Sequence, residues 1–254
     1  MLIVGTDSHT MTYGALVAAV ASPGFSEMAY VATTGTLWFK VPKSIKFHIN
    51  GMLAQRVMSK DVILYLAGKY SENVAQYMSV EYTGPTAQKM SLNSRMTLAN
   101  MTAEIGAKFV FIEPDEKVID YLTGRSKNSF EVVKADTDAS YEQIYEENVA
   151  NLEPQVSLPF SVDHVKPVSK VNGVKIDQAV LGSCTNGRLE DLRIAAEVLH
   201  NKKIYPDVRL LVIPASSDVY REALSEGLID SFIESGAIVC HSVVGPATGV
   251  IWDC

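Results

Sequence analysis

The stretch VLGSCTNGRLEDL, residues 180–192, predicts a strand that runs into a helix, with Cys184 at the turn between them. A thiolate at the start of a helix is stabilised by the exposed backbone N–H groups, and it can then ligate a metal. Sites built on thiolates need several of them. The other cysteines, Cys240 and Cys254, do not form the tight C-x-x-C pattern that such sites commonly use. The sequence therefore predicts functional potential at Cys184 and leaves its co-ligands to be identified.

A second set of polar residues could carry acid–base chemistry. Asp7, Ser8 and His9 follow an apolar strand at Leu2–Val4, and Asn100 and Glu104 lie four residues apart in a helical pattern. Carboxylate, hydroxyl and imidazole groups are the usual general acids and bases. The simpler alternatives are a turn in which Asp7 or Ser8 caps the next helix, and a solvated helix face for Asn100 and Glu104.

Composition restricts the class of protein. The 254 residues carry a formal net charge of −7, which disfavours a nucleic-acid partner but allows a small anionic substrate in a locally positive pocket. Three widely spaced cysteines favour a reduced, cytoplasmic setting. We see neither a signal peptide nor a membrane span. The abrupt first strand and the abrupt end at Trp252–Cys254 suggest part of a larger protein.

The first 150 residues predict a mixture of helices and strands. Small-residue helices are expected around GALVAAVA and SEMAYVATTG, an edge or half-buried strand at SIKFHING, and a helix at KDVILYLAG with Ser59 as its N-cap. The clearest helix is SLNSRMTLANMTAEIGAK, which Gly106 should end. A strand KFVFI and a short helix near Asp115 follow, and the proline-rich residues 151–170 look like an interdomain connection.

The last part of the chain has a regular alternation. The segments DQAVLGS, DVRLLVIPAS and AIVCHSV predict strands, with helices at LEDLRIAAEVLH and SDVYREALSEGLIDSFIESG between them. This β-α-β-α-β order predicts a parallel sheet, whose ligands gather beyond the carboxyl ends of the strands. Residues 183–186, 214–216 and 243–249 would meet there.

Ordered motifs over nearly the whole chain resemble a known family. GTDSHT, NMTAEIGA and GSCTNGRLEDLR are similar to motifs in the large subunits of 3-isopropylmalate dehydratase and homoaconitase, within the aconitase superfamily. TGTLWFKVP, SKDVIL and IEPDEKV agree with the dehydratase branch. The resemblance implies an α/β fold of layered α/β/α domains of the aconitase type with parallel sheets. We expect a partial first domain at 1–41, a second at 42–155 and a partial third at 156–254, which contains the cluster motif.

The resemblance also implies a [4Fe–4S] cluster held by three cysteines, whose open iron acts as a Lewis acid on the substrate. Cys184 matches the first ligand. The other two belong to a CGPC-x-G pattern that falls here on VGPATG, so the ligand positions hold Val244 and Ala247. Rescue by Cys240 or Cys254 is disfavoured, because neither reproduces the tight hairpin. The cluster is therefore expected to be absent or incomplete in this chain.

Site roles follow from the same resemblance. Asp7, His9 and Glu104 match catalytic positions, with Glu104 helping to bind or activate the departing water, and Ser8 and Asn100 match substrate-binding positions. The histidines outside GTDSHT show no spacing typical of a metal site, and we interpret them as structural or exposed; they are His48, His164, His200 and His241.

The implied activity is dehydration and rehydration of a small hydroxy acid, with 2-isopropylmalate as the leading substrate and a cis-alkene intermediate. The family implies a small-subunit partner that carries a swivelling domain. The alternative is a truncated or degenerate, non-catalytic homologue that lacks the cluster. A third possibility, an RNA-binding regulator, finds no support in the acidic composition.

Overall fold

The computed structural model describes residues 2–126 and 129–242. It divides into two compact units, Met1–Asn172 and Gly173–Cys254. The prediction of an α/β fold with parallel sheets is confirmed, because both units are built on parallel strands.

Unit 1 begins with two short parallel strands, β1 (Leu2–Val4) and β2 (Ala19–Ala21). A 3₁₀ helix, Ser8–Leu16, connects them. The expected helix over GALVAAVA is therefore wrong, because Val17 adopts a left-handed φ of 60° and the alanines that follow pair with β1 instead. The helix expected at SEMAYVATTG is present as α1 (Phe25–Thr34).

The main sheet of unit 1 has four parallel strands in the order β5-β4-β3-β6. Their bounds are Ser44–Asn50 for β3, Ser79–Thr83 for β4, Phe109–Ile112 for β5 and Gln143–Asn148 for β6. Alternation in β3 buries Ile45, Phe47 and Ile49, as a half-buried strand requires. The strand lies inside the sheet, between β4 and β6, and not at an edge.

Four helices accompany this sheet: α2 (Ser59–Tyr70), α3 (Pro85–Lys89), α4 (Leu92–Met101) and α5 (Glu116–Leu122). Ser59 is the first helical residue of α2 rather than its N-cap, which is Met58. In α4, by contrast, the Ser91 hydroxyl caps the helix by accepting from the Ser94 N–H.

The proline-rich segment that was expected to be a connection carries structure of its own. Strands β7 (Gln155–Ser157) and β8 (Val165–Pro167) form an antiparallel pair that packs against α2 within unit 1. A short 3₁₀ turn, Val168–Lys170, follows it.

Unit 2 contains the predicted parallel sheet, in the order β11-β10-β9. Its strands are β9 (Gln178–Gly182), β10 (Arg209–Ile213) and β11 (Ile238–Val239), and its helices are α6 (Ser183–Asn186), α7 (Leu189–Leu199), α8 (Ser217–Ser225) and α9 (Leu228–Ser235). The single helix expected over residues 217–236 is two, because Gly227 breaks it with a φ of 73°.

Candidate active site

Two 3₁₀ helices, Ser8–Leu16 and Thr102–Ile105, bring two predicted acid–base residues together. His9 Nε2 lies 3.3 Å from Glu104 Oε1, although the residues are 95 positions apart in the chain. Their side chains are 27% and 35% exposed, so the pair is shielded but can be reached from solvent. An imidazole N–H that donates to a carboxylate in this setting can hold or pass a proton.

Asp7 holds the backbone at His9 in place through hydrogen bonds. Its Oδ1 accepts from the His9 N–H at 2.7 Å, and its carbonyl accepts from Thr10 Oγ1 at 2.5 Å and Ser22 Oγ at 2.8 Å. The carboxylate therefore caps the 3₁₀ helix, as the simpler of the two sequence-based alternatives for Asp7 predicted. Ser8 is exposed beside it.

Asn100 is fully buried, so it does not lie on a solvated face. Its Nδ2 donates to Thr12 Oγ1 at 2.9 Å, and that hydroxyl donates to the His9 carbonyl at 2.7 Å. Asn100 is thereby tied to the His9 turn. Thr12 was missed from the sequence, and its position three residues after His9 was the only signal that could have pointed to it.

Asn100 and Glu104 both reach the 3₁₀ helix Ser8–Leu16, Asn100 through Thr12 and Glu104 through His9. Helix α4 ends at Met101, and Thr102–Ile105 continues as a 3₁₀ helix with about three residues per turn. Asn100 is buried, whereas the Glu104 side chain is partly exposed. Gly106 ends the segment with a φ of 83°, as predicted.

Cys184 lies in unit 2, at the carboxyl end of β9, in the single turn of α6. The chain enters this turn through two left-handed residues, Gly182 with a φ of 130° and Ser183 with a φ of 64°. A Cβ at Gly182 would lie 2.0 Å from the Ile213 carbonyl oxygen, so only glycine fits. Sγ of Cys184 lies 3.9 Å from Thr185 Oγ1.

The residues after Cys184 organise the start of α7. Asn186 Nδ2 donates to Asp191 Oδ1 at 3.1 Å, and the Arg188 N–H donates to Asp191 Oδ2 at the same distance. Burial raises the pKa of Asp191, against the lowering effect of these hydrogen bonds. Asn186 and Arg188 therefore have a structural role that the sequence left open.

The remaining cysteine and histidine positions differ in their surroundings. Cys240 is buried directly after β11, and the His241 ring stacks on Tyr220 with centroids 6.2 Å apart. His48 Nδ1 and Thr83 Oγ1 are 3.1 Å apart, and His164 Nδ1 lies 3.1 Å from the Pro159 carbonyl oxygen. Within residues 2–126 and 129–242, no three His, Cys, Asp or Glu side chains are grouped to hold a metal ion. Val244, Ala247 and Cys254 lie outside the described residues.

Comparisons with known proteins cover nearly the whole chain. A family model described as "Aconitase family (aconitate hydratase)" matches residues 1–253. A probable 3-isopropylmalate dehydratase large subunit from Methanothermobacter thermautotrophicus is 50% identical over 248 residues, which are 98% of this chain and 59% of the relative. The Halothermothrix orenii 3-isopropylmalate dehydratase large subunit is 47% identical with the same coverage.

A probable methanogen homoaconitase large subunit, also from Methanothermobacter thermautotrophicus, is 46% identical over 98% of this chain and 58% of its own length. The chain thus spans about three fifths of the curated relatives it matches. Among solved structures, holo-form aconitase X from Thermococcus kodakaraensis aligns with a TM-score of 0.56 at 12% identity, covering 94% of this chain and 56% of that one. At that identity the likeness shows the fold alone. In the described ranges, no helix has both the length and the apolar character needed to cross a bilayer.

Proposed function

This chain belongs to the aconitase family, and we propose that it provides large-subunit residues of a hydro-lyase that moves the hydroxyl of isopropylmalate between adjacent carbons, interconverting 2-isopropylmalate and 3-isopropylmalate. Relatives that are 47–50% identical over 98% of the chain carry the dehydratase name. Nothing in the comparisons favours the alternative of a non-catalytic homologue.

The observation that carries the proposal is the contact between His9 and Glu104. Dehydration of a hydroxy acid breaks a C–O bond and removes a proton from the neighbouring carbon, so it needs one group that gives a proton to the departing hydroxyl and one that accepts the carbon-bound proton. The 3.3 Å contact between His9 Nε2 and Glu104 Oε1, in which both side chains are partly exposed, supports this assignment because the two groups could share and transfer a proton.

The neighbouring residues would hold this pair in place and bind the substrate. Asp7 fixes the His9 backbone through its cap, and Asn100 fixes the same turn from the buried side through Thr12. The exposed Ser8 hydroxyl would donate to a substrate carboxylate. In this proposal Asp7 and Asn100 act mainly as positioning residues, whereas His9 and Glu104 touch the substrate.

The family's iron–sulfur cluster does not fit the side chains of this chain. Cys184 supplies one thiolate, but the other two motif positions carry the hydrocarbon side chains of Val244 and Ala247, which offer iron no lone pair. We therefore derive no catalytic step through a cluster. The relatives are named as large subunits, and we propose that a small subunit completes the substrate site here also.

The test is a calorimetric titration of 3-isopropylmalate into this chain mixed with a 3-isopropylmalate dehydratase small subunit. A hydrogen bond to a charged group contributes about 1.5–3 kcal/mol, so Glu104→Gln and His9→Asn should each weaken binding roughly 10- to 100-fold. Glu142→Gln is the matched control, since Glu142 is exposed and pairs only with a lysine side chain, Lys43, in the described structure. Unchanged affinity in both site variants, or no binding by the unmodified chain, would refute the proposal.

A further inference from the structure

We infer that this chain keeps the glycine-containing motifs of the family's cluster site but holds no iron–sulfur cluster, because two thiolates have been replaced by hydrocarbon side chains. The inference rests on the proposed function only in taking this motif region as the cluster site. It concerns ligation, and it would stand whatever hydroxy acid the protein binds.

The turn that presents the first thiolate is intact. Gly182 and Ser183 both take positive φ values to bring Cys184 beyond the carboxyl end of β9. Gly187 is equally constrained, since a Cβ there would lie 2.5 Å from the Ile213 carbonyl oxygen. The Ala215 N–H donates to the Gly187 carbonyl at 2.8 Å, which joins this turn to the end of β10.

The sequence VGPATG matches the family's CGPC-x-G pattern except at the two cysteine positions. Gly245, Pro246 and Gly249 stand in VGPATG, while the ligand positions are Val244 and Ala247. A cubane cluster takes a thiolate or imidazole at each protein-bound iron. Aliphatic carbon cannot replace either donor, so a single thiolate from Cys184 would remain.

Other side chains near this edge of the sheet do not supply the missing donors. Cys240 is 7% exposed, and its N–H donates to the Val212 carbonyl at 2.9 Å, so its backbone is held in the sheet. The His241 ring is stacked on Tyr220. Moving the His241 side chain to iron would break its stacking on Tyr220.

The experiment restores the donors. The unmodified chain and the Val244→Cys/Ala247→Cys variant are reconstituted anaerobically with iron and sulfide, and protein-bound iron, acid-labile sulfide and the visible absorption spectrum are measured. We expect well under one iron per unmodified chain and about four irons and four sulfides per chain in the variant, which is the content of one cubane. Val244→Ser/Ala247→Ser is the matched control, because it adds polar atoms of similar size without thiolates and should stay colourless.

Adding Cys184→Ser to the restored variant should abolish the cluster, since the third thiolate is then lost. Circular dichroism of all variants establishes that they are folded. An unmodified chain that binds a stoichiometric cluster, including one shared between two chains, would overturn the inference. So would a folded double-cysteine variant that remains colourless, or a cluster that survives Cys184→Ser. A restored variant that gains the cluster but does not bind 3-isopropylmalate would refute the proposed function alone.

Discussion

Glu147 on β6 is an almost fully buried carboxylate that pairs with Lys69 in unit 1, and replacing it with glutamine should destabilise that unit strongly. Its side chain is 1% exposed and accepts from Lys69 Nζ at 2.9 Å on both oxygens. The hydroxyl of Tyr65 donates to Oε2 at 3.0 Å, and that of Tyr70 donates to Oε1. The hydrogen bonds to Glu147 raise the pKa of Lys69, although the partial burial of Lys69 acts to lower that pKa.

The magnitude follows from these contacts. In Glu147→Gln, an N–H₂ group replaces one oxygen and faces Lys69 and a tyrosine hydroxyl, so at least two hydrogen bonds to a charged acceptor are lost or reversed. Each contributes about 1.5–3 kcal/mol. Because a tyrosine hydroxyl can rotate to accept from the new amide, we expect a net loss of about 3 kcal/mol. For a unit of this size that lowers the midpoint of thermal unfolding by roughly 6–12 °C.

The assay is thermal unfolding followed by circular dichroism, with hydrogen exchange of the β3–β6 amides to assign the loss to unit 1. Glu146→Gln is the matched control. Glu146 precedes Glu147 on the same strand but is exposed, and its bond from Asn50 Nδ2 is long at 3.4 Å, so its free energy of unfolding should change by less than about 0.5 kcal/mol. Equal effects of the two substitutions would refute the argument that the buried hydrogen bonds stabilise unit 1.

Two further predictions concern the other constrained positions. Arg95 is fully buried and pairs with Asp115, so Asp115→Asn should cost unit 1 about 2 kcal/mol, less than for a fully buried pair because Asp115 is partly exposed. Burial favours a higher pKa for Asp115, but the hydrogen bond and charge of Arg95 lower its pKa overall. The Asp115–Arg95 pair therefore stabilises the folded unit above about pH 4, and this contribution is lost as the pH falls below that value. Urea unfolding should show the difference between the two proteins shrinking as the pH falls below 4, and a constant difference would contradict the pairing. In unit 2, Gly182→Ala should cost about 3 kcal/mol or more, because the added Cβ meets the Ile213 carbonyl oxygen. Ser183→Gly should instead stabilise the unit by about 1 kcal/mol, because glycine adopts the positive φ of this position without strain. Amide hydrogen exchange in β9 and β10 tests both substitutions: it should become faster in Gly182→Ala and slower in Ser183→Gly.

The elements that the sequence predicted well are those in which local and tertiary preferences agree. The alternating segments of unit 2 form the parallel strands β9, β10 and β11, and Gly106 ends its helical segment where expected. The failures have a common physical cause. Val17 and Gly227 change the backbone direction inside runs that otherwise favour helix, and the hydrophobic pattern does not report a change in φ.

The candidate site was predicted in part for a similar reason. Residue types and family order identified His9 and Glu104, but their contact joins residues that are 95 positions apart in the chain. The hydrogen bond from Asn100 to Thr12 likewise joins residues that are 88 positions apart in the chain. Such contacts are properties of the packed turn and cannot be derived from spacing alone.

The glycines of the turn at Cys184 have a structural role that does not involve a cofactor. Gly182 and Gly187 both lie against the Ile213 carbonyl oxygen, so larger side chains would separate β9 from β10 whether or not a metal is bound. A chain that no longer ligates a cluster would still be required to keep these glycines in order to fold. At Val244 and Ala247 hydrocarbon side chains stand where the family motif has sulfur donors, while Gly245, Pro246 and Gly249 of the motif remain. A glycine motif of this kind therefore indicates the fold, whereas cofactor binding can be inferred only from side chains that carry ligand atoms.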